Sequence, residues 1–315
     1  MKKNFNKKYF ISSHNNKILK NIFWISGCSR SGTTLLGKII STFKNNEYIY
    51  EPETLFSILP LVKEIKFEKW KLIYETYVGE DLFYNHLVGR KINLKKIDGS
   101  YIGNSKNSKE IYKKLKLNIS RLHLNKYLNK NNFHLTIKIP DVVKFLVNIE
   151  KFYPKNKFLI IFRNPYANIN SLIKKKWFSK KYYDKSFLPY LNNKNKLYPL
   201  WLERKFYNVW NSFNEYEKAA FYVATINKEV FKLKNKNLIF YENLLENPTA
   251  EIARISKYLS MDYTKKTIEI KRSINKKNLS TSYDSIKLKL RKKIRLQLDA
   301  DFLKQKKIYY QQLKK

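Results

Sequence analysis

The feature that most constrains the fold is an apolar run followed at once by a glycine-containing loop and a helical pattern. Residues 22–26 read Ile-Phe-Trp-Ile-Ser, which is typical of a buried strand, and residues 33–43 have the apolar spacing of a helix. Between them, Gly27 and Gly32 permit a tight turn in which backbone N–H groups converge at the start of the helix. This order of elements predicts an anion-binding loop.

Further apolar runs alternate with helical patterns along the chain. Strands are predicted at 48–50, 134–139, 157–162 and 237–241, with helices between them. This alternation predicts an α/β fold with a mainly parallel central sheet flanked by helices. Because ligands bind at the carboxyl ends of the strands in such sheets, the polar residues that follow each strand form the predicted site.

Other stretches carry weaker patterns. One long helix is predicted over 201–234, a mobile loop or lid over 177–200, and mostly helical or irregular structure over 54–131. We expect a single domain over 1–315 in which 276–315 form a basic helical extension.

The charge balance is extreme, since 65 Lys and Arg face 25 Asp and Glu for a net charge of +40. Only nine of the basic residues are Arg, and the Lys residues are spread along the whole chain together with many Asn, Ile and Tyr. This composition indicates A+T-rich coding for most of the charge, and we expect no specific nucleic-acid partner. A basic nucleic-acid-binding protein, which would bind with a steep salt dependence, is the non-enzymatic alternative. The net field still attracts polyanions such as nucleotides.

Several classes of protein are disfavoured. Cys28 is the single cysteine, so an intramolecular disulfide is excluded, and the four histidines lack ligand spacing, so no metal site is expected. The basic, polar stretch 1–20 lacks the apolar segment of a signal peptide or membrane anchor. We expect a cytoplasmic protein without a membrane span. The sequence does not specify the oligomeric state.

The loop differs from that of nucleotide kinases. It matches Gly-x4-Gly, but Thr33 stands where a kinase has the lysine that bridges the β- and γ-phosphates. A nucleotide kinase therefore remains only as the alternative enzyme. Arg30 carries a planar fork of donors suited to a phosphosulfate group, and the backbone amides of 30–34 with the Thr33 and Thr34 hydroxyls complete the predicted anion site.

The run Ser29-Arg30-Ser31-Gly32-Thr33-Thr34 resembles the 5′-phosphosulfate loop of sulfotransferases that use 3′-phosphoadenosine-5′-phosphosulfate (PAPS). The resemblance is closest to the Pro-Arg-Ser-Gly-Thr-Thr form of tyrosylprotein sulfotransferases and related bacterial enzymes, with Ser29 in place of the proline. It implies a P-loop type fold, binding of PAPS by these six residues, and transfer of a sulfuryl group to an acceptor hydroxyl or amine with 3′,5′-ADP as the product. A relative that binds PAPS without transfer is a further alternative.

A second part of the resemblance follows the strand at 157–162. Arg163-Asn164-Pro165 ends the strand, and Ser171 lies two turns along the next helix. In the family this arrangement binds the 3′-phosphate of PAPS, which implies that role for Arg163 and Ser171. The family usually has Asp at the position of Asn164, and Asn can cap a helix equally. An arginine in a surface ion pair is the alternative interpretation.

Shorter matches extend the resemblance patchwise over about 20–275. Tyr241, in a segment similar to the family's Tyr-Glu-Asp-Leu…Pro, and the pair Arg272-Ser273 are implied to contact the nucleotide. Lys138, in a Lys-x-Pro segment, is implied to lie near the leaving phosphate. A solvated lysine is the alternative for Lys138.

The predicted catalytic base is Glu51, which follows Arg30 by 21 residues, a spacing similar to that of the tyrosylprotein branch. Glu53 is the nearby alternative. Aryl sulfotransferases use a histidine near the Lys138 region, where this chain offers only His134. The acceptor, whether a peptide, a glycan or a small molecule, stays open, and the glutamate favours the tyrosine and carbohydrate branches by analogy. The unmatched stretches 54–131 and 177–200 are the predicted acceptor-binding regions.

Overall fold

The structure is a computed structural model that describes residue 9 and residues 17–179, 189–274 and 283–314. Its centre is a five-stranded, entirely parallel sheet with the order β2-β3-β1-β4-β7, and a separate antiparallel hairpin is formed by β5 and β6. The strands are β1 (Ile22–Gly27), β2 (Asn46–Tyr50), β3 (His134–Lys138), β4 (Lys157–Phe162), β5 (Tyr190–Asn193), β6 (Lys196–Pro199) and β7 (Lys236–Phe240). The predicted α/β class with a parallel sheet flanked by helices is confirmed.

Helices connect the strands and cover both faces of the sheet. They are α1 (Thr33–Ser41), α2 (Glu53–Ile58), α3 (Phe67–Thr76), α4 (Asn85–Leu87), α5 (Ser108–Leu115), α6 (Arg121–Asn131), α7 (Val143–Phe152), α8 (Pro165–Lys174), α9 (Tyr207–Ser212), α10 (Glu215–Val230), α11 (Tyr241–Glu246), α12 (Pro248–Leu259), α13 (Lys265–Ser273), α14 (Asp284–Lys287) and α15 (Lys292–Leu313). A π-helix, Tyr77–Tyr84, joins α3 to α4. None of the helices described is long and apolar enough to cross a membrane.

The central strands are apolar throughout because both faces of the sheet are buried. All six residues of β1 are buried. Trp24 and Ile22 contribute to one core cluster, whereas Phe23 and Ile25 contribute to the cluster on the opposite face. This alternation is the period of two expected for a strand covered by helices on both sides.

Parallel register brings the ends of the strands to one edge of the sheet. Gly27 lies opposite Ile161, Tyr50 lies opposite Lys138, and Phe162 lies opposite Phe240. The residues that follow each strand therefore gather at this edge, which is where the sequence predicts the site.

Two sequence predictions require correction. The predicted long helix over 201–234 is wrong, because the chain is extended at Phe213 (φ −78°, ψ 137°) and α10 starts afresh after Asn214. Asn214 and Glu217 form a capping box, in which the Glu217 N–H donates to Asn214 Oδ1 at 2.9 Å. In the predicted loop at 177–200, the described part contains the β5–β6 hairpin, and residues 180–188 lie outside the described residues.

The C-terminal helix α15 covers the free edge of β7. The Leu238 N–H donates to Gln312 Oε1 at 2.8 Å, and Gln312 Nε2 donates to the Lys236 carbonyl at 2.9 Å. A few residues earlier, the fully buried Tyr309 packs edge-on against Phe162 and Phe240. The helix thus satisfies backbone groups that an edge strand otherwise leaves exposed.

Gln312→Ala should destabilise the protein by about 1–3 kcal/mol, because it leaves the buried N–H of Leu238 without a partner. Chemical denaturation would measure this loss. The matched control is Gln311→Ala on the exposed side of the same helix turn, which we expect to stay within about 0.5 kcal/mol of the wild type. Equal stability of the two variants would contradict the role of Gln312.

Candidate active site

The loop between β1 and α1 has a backbone that requires glycine at both ends. Gly27 has φ 141° and Gly32 has φ 106°. A Cβ atom at Gly27 would lie 2.3 Å from the Ile161 carbonyl oxygen, and one at Gly32 would lie 2.3 Å from Cδ2 of Tyr241. The loop is therefore pressed against β4 and Tyr241, which fixes its curvature at the N-terminus of α1.

The buried carboxylate of Asp141 fixes the start of this loop through hydrogen bonds. Asp141 accepts from the Ser29 N–H at 2.7 Å and from the Ser29 hydroxyl at 2.6 Å, and it also accepts from the hydroxyl of Tyr222. The Asp141 N–H donates to the Gly27 carbonyl at 2.9 Å. Sequence reasoning missed both partners. Asp141 could have been suspected from its place just after the Lys138 strand, whereas Tyr222 lies inside α10 with no local signal.

Burial raises the pKa of Asp141 to about 6, and the negative charge of Glu51 adds to the rise while the hydrogen bonds from Ser29 and Tyr222 oppose it. The same burial, followed by the charge of Asp141, raises the pKa of the Cys28 thiol well above its ordinary value. Cys28 is therefore a buried neutral thiol rather than a nucleophile.

Two of the predicted loop contacts point into the protein. The hydroxyl of Ser29 bonds Asp141, and that of Ser31 donates to the Cys28 carbonyl at 2.6 Å and to the Ile161 carbonyl at 3.2 Å. Thr33 is buried, whereas Thr34 and Arg30 are exposed. The Ser31 N–H also donates inward, to the Cys28 carbonyl at 3.1 Å. The structure thus leaves the other N–H groups of 30–34, Thr34 and Arg30 as the groups best placed to meet a ligand.

Arg30 joins the first predicted anion site to the second. Its Nε donates to the Ser171 hydroxyl at 3.3 Å, and Nη1 of Arg163 donates to the Arg30 carbonyl at 3.4 Å. The Arg163 guanidinium lies 4.6 Å from the centre of the Tyr241 ring. Its Nε is buried and has no hydrogen-bond partner among the described residues, which is the kind of donor that a bound anion satisfies.

Asn164 caps α8 as predicted, because its side chain accepts from the N–H groups of Tyr166 and Ala167. The N-terminus of α8 therefore lies directly after Arg163, with its partial positive charge on the same edge of the sheet.

Lys138, which is buried, and Glu51, which is partly exposed, form an ion pair beside the loop. Lys138 is 1% exposed, so the alternative of a solvated lysine is wrong. Its Nζ lies 3.4 Å from Thr34 Oγ1 and 4.4 Å from the centre of the Tyr50 ring. Burial lowers the pKa of Lys138, and the charge of Glu51 opposes that shift.

The other candidate bases lie elsewhere. Glu53 is exposed at the start of α2. His134 begins β3, about 13 Å along the strand from Lys138, and stacks on Phe23 with ring centres 5.1 Å apart. Of the three, Glu51 is the one that contacts Lys138.

The remaining predicted residues differ in position. Tyr241 is 9% exposed and lies between Gly32 and Arg163, where it supports both. Arg272 and Ser273 are exposed at the end of α13, and the Ser273 hydroxyl donates to the Ile270 carbonyl at 2.8 Å. Within the described ranges, no hydrogen bond or ion pair joins Arg272 or Ser273 to the other predicted residues. Those ranges also contain no group of three or more His, Cys, Asp or Glu placed to hold a metal ion.

A protein-family model described as the sulfotransferase family matches residues 22–265, which include the loop, the Lys138 strand and the Arg163 turn. The chain belongs to the sulfotransferase family. It is thus an enzyme of sulfuryl transfer, as the resemblance in sequence implied. Comparison with proteins of curated function gives no match.

Solved structures of sulfotransferases are similar to this chain at low identity. The sulfotransferase domain of the Synechococcus PCC 7002 olefin synthase is 16% identical, with 90% of this chain and 94% of that chain covered and a TM-score of 0.49. A mouse sulfotransferase complexed with PAP is 14% identical, with coverage of 93% and 89% and a TM-score of 0.39. A sulfotransferase from Alicyclobacillus acidocaldarius is 11% identical, with coverage of 91% and 95% and a TM-score of 0.43. The family assignment rests on the family-model match.

The raised pKa of Asp141 predicts a pH-dependent stability difference. The folded value, about 6, exceeds the ordinary 3.8, so the folded protein binds more protons in this window and Asp141 makes the protein less stable as pH rises through it. Asp141→Asn removes this titration. The stability of the variant relative to the wild type should therefore increase by about 2 kcal/mol from about pH 4 to pH 7.

Urea denaturation across this pH range measures the difference. Asp262→Asn is the matched control, because the Asp262 side chain is 80% exposed, and its difference from the wild type should stay nearly constant. A flat difference for Asp141→Asn as well would show that Asp141 does not titrate in this window.

Proposed function

We propose that this sulfotransferase uses PAPS as its donor, with the loop and Arg30 at the phosphosulfate and with Arg163 and Ser171 at the 3′-phosphate. The observation that carries the proposal is the contact chain from Ser171 to Arg30 and from Arg30 to Arg163. One arginine touches both predicted anion sites, so a single nucleotide with charged groups at its two ends suits them. PAPS supplies the sulfuryl group.

The donor site is held mainly by positive charge and by backbone dipoles. Arg30, Arg163 and Lys138 lie at one edge of the sheet, and the helices α1 and α8 begin at the same edge. Transfer of a sulfuryl group resembles phosphoryl transfer, in which positioning and stabilisation of spread negative charge supply most of the catalysis. This requirement supports the assignment of these groups to the donor site.

Glu51 and Lys138 have separate roles in the proposed reaction, proton transfer for Glu51 and charge stabilisation for Lys138. Glu51 accepts the proton of the acceptor hydroxyl, and Lys138, which is held against Thr34, stabilises the charge on the leaving phosphate. The backbone supports this arrangement, because the Glu51 N–H donates to the Lys138 carbonyl at 2.8 Å and Glu51 has φ 41°. A positive φ at a glutamate is uncommon, and such strained residues cluster at active sites.

The donor is tested by thermal shift with 3′,5′-ADP and with ATP. We expect stabilisation by 3′,5′-ADP alone. Arg30→Ala and Arg163→Ala should each weaken its binding by about tenfold or more, because each removes hydrogen bonds to a charged group. Arg204→Ala, at an exposed position outside the site, is the control and should bind normally. A shift with ATP and none with 3′,5′-ADP would favour the kinase alternative.

The base is tested by Glu51→Gln, which should keep the 3′,5′-ADP shift and lower the turnover by about 100-fold or more. Glu53→Gln is the matched control, because that carboxylate is exposed two residues away and should leave the turnover unchanged. Full turnover in Glu51→Gln would remove Glu51 as the base.

A further inference from the structure

An aromatic pocket of about 60 Å³ lies beside Asp141. Its walls come from α2, α7, the segment after α8, the turn after β6 and α10. We call this site the aromatic pocket and define it by Phe56, Phe145, Phe178, Trp201 and Tyr222. Phe178 and Trp201 both contact the Tyr222 ring. The ring centres lie 5.7 Å and 5.2 Å from that of Tyr222, and the ring planes are inclined to it by 61° and 54°.

The aromatic pocket shares a wall with the donor loop. Asp141 and Tyr222 line it, and both accept hydrogen bonds from the Ser29 N–H at the start of the loop. Glu51 is close enough for its charge to raise the pKa of Asp141. Phe56 belongs to α2, which begins two residues after Glu51. The pocket therefore shares Asp141 and Tyr222 with the support of the proposed donor loop, and the proposed base lies near Asp141.

Among the described residues, the lining of the aromatic pocket contains no cation. Lys and Arg make up 65 of the 315 residues, about one in five, yet none of them is among the described residues that line the pocket. Asp141 is the one acidic residue of that lining. An anionic acceptor would therefore meet a carboxylate and no positive partner among the described lining residues, which makes its burial costly.

A larger cavity of about 220 Å³ at the outer edge of β2 does contain lysines, but two of these are already paired. Lys114 and His86 both contact Glu47, and the resulting charges help to lower the pKa of that carboxyl to about 2. Lys91 donates to Asp81 at 2.6 Å. Because these two lysines already have acidic partners, they attract an anionic acceptor less strongly than unpaired lysines would.

We propose that the acceptor is a neutral phenol whose ring lies in the aromatic pocket, an inference that rests on the proposed function for its donor. A phenol ring gains edge-to-face contacts with the aromatic walls, whereas a sugar would bury several hydroxyls without partners. In the reaction the phenol oxygen forms the new S–O bond, the S–O bond to the 5′-phosphate breaks with its electron pair going to that phosphate, and Glu51 takes the phenol proton.

The first experiment compares two phenols that differ in one charge, p-cresol and p-hydroxyphenylacetate, as acceptors of label from radiolabelled PAPS. The kcat/KM for p-cresol should exceed that for the anion by about tenfold or more, because Asp141 repels the carboxylate. A tyrosine peptide rich in Glu and a neutral oligosaccharide complete the panel and should be poor acceptors. Preference for the anion, the peptide or the oligosaccharide overturns the proposal.

The second experiment places a charge at the pocket. Leu200 lines the aromatic pocket and is partly exposed, so Leu200→Glu should fold and raise the KM for p-cresol by about tenfold or more. Leu197→Glu, on the neighbouring β6 and 44% exposed, is the matched control and should behave as the wild type. An unchanged KM in Leu200→Glu would place the acceptor elsewhere.

Binding without turnover separates this inference from the proposed function. With 3′,5′-ADP present, p-cresol should quench the fluorescence of Trp201 and Trp177, which line the pocket, and Leu200→Glu should weaken the quenching without changing the 3′,5′-ADP shift. If 3′,5′-ADP binds and p-cresol does not, the inference is wrong and the proposed function stands. If 3′,5′-ADP itself does not bind, both are wrong.

Discussion

The site depends on one buried carboxylate that ties the loop to the rest of the fold. Asp141 follows β3 closely, bonds the loop through Ser29 and the Gly27 carbonyl, and is bonded in turn by Tyr222 of α10. Removing a carboxylate from water is unfavourable unless donors surround it, and the raised pKa of Asp141 shows that its donors offset that cost only in part. The same hydrogen bonds fix the loop backbone next to the proposed anion site.

The Lys138–Glu51 pair has the same character. A buried ion pair contributes little net stability, because desolvation cancels much of the attraction between the charges. What the pair provides is geometry, since it keeps Lys138 within reach of Thr34 and the face of Tyr50. Both charged contacts are therefore better explained by the chemistry of the site than by the stability of the fold.

The sequence could predict the parts of the site that lie at strand ends, because parallel register alone brings those ends to one edge. This is why Gly27, Lys138 and Arg163 are near one another, as expected from their local patterns. Contacts between segments that are distant along the chain leave no such pattern in the sequence. Tyr222 reaches Ser29 from the middle of a helix 193 positions away, and Gln312 completes a strand edge from the last helix.

Local features also limited the sequence prediction. The apolar spacing before and after Phe213 suits one helix, and the break is visible only in the capping box that follows it. The resemblance implied that Ser29 and Ser31 bind the donor, but the turn of the backbone directs their hydroxyls inward. Motif position identifies the segment, whereas side-chain direction depends on the φ values within the loop.

The distribution of charge separates the two ligands that the proposed reaction needs. A chain with a net charge of +40 attracts any polyanion, and the proposed donor site lies at the edge where Arg30, Arg163 and the helix N-termini lie. The same excess of lysine would offer cations to any acceptor unless the walls of its pocket exclude them. The described walls of the aromatic pocket contain no Lys or Arg, and they come largely from segments that carry none of the donor-site motifs. Recognition of the donor by charge and of the acceptor by apolar contact can therefore vary independently, because the two rest on different residues and share only Asp141 and Tyr222.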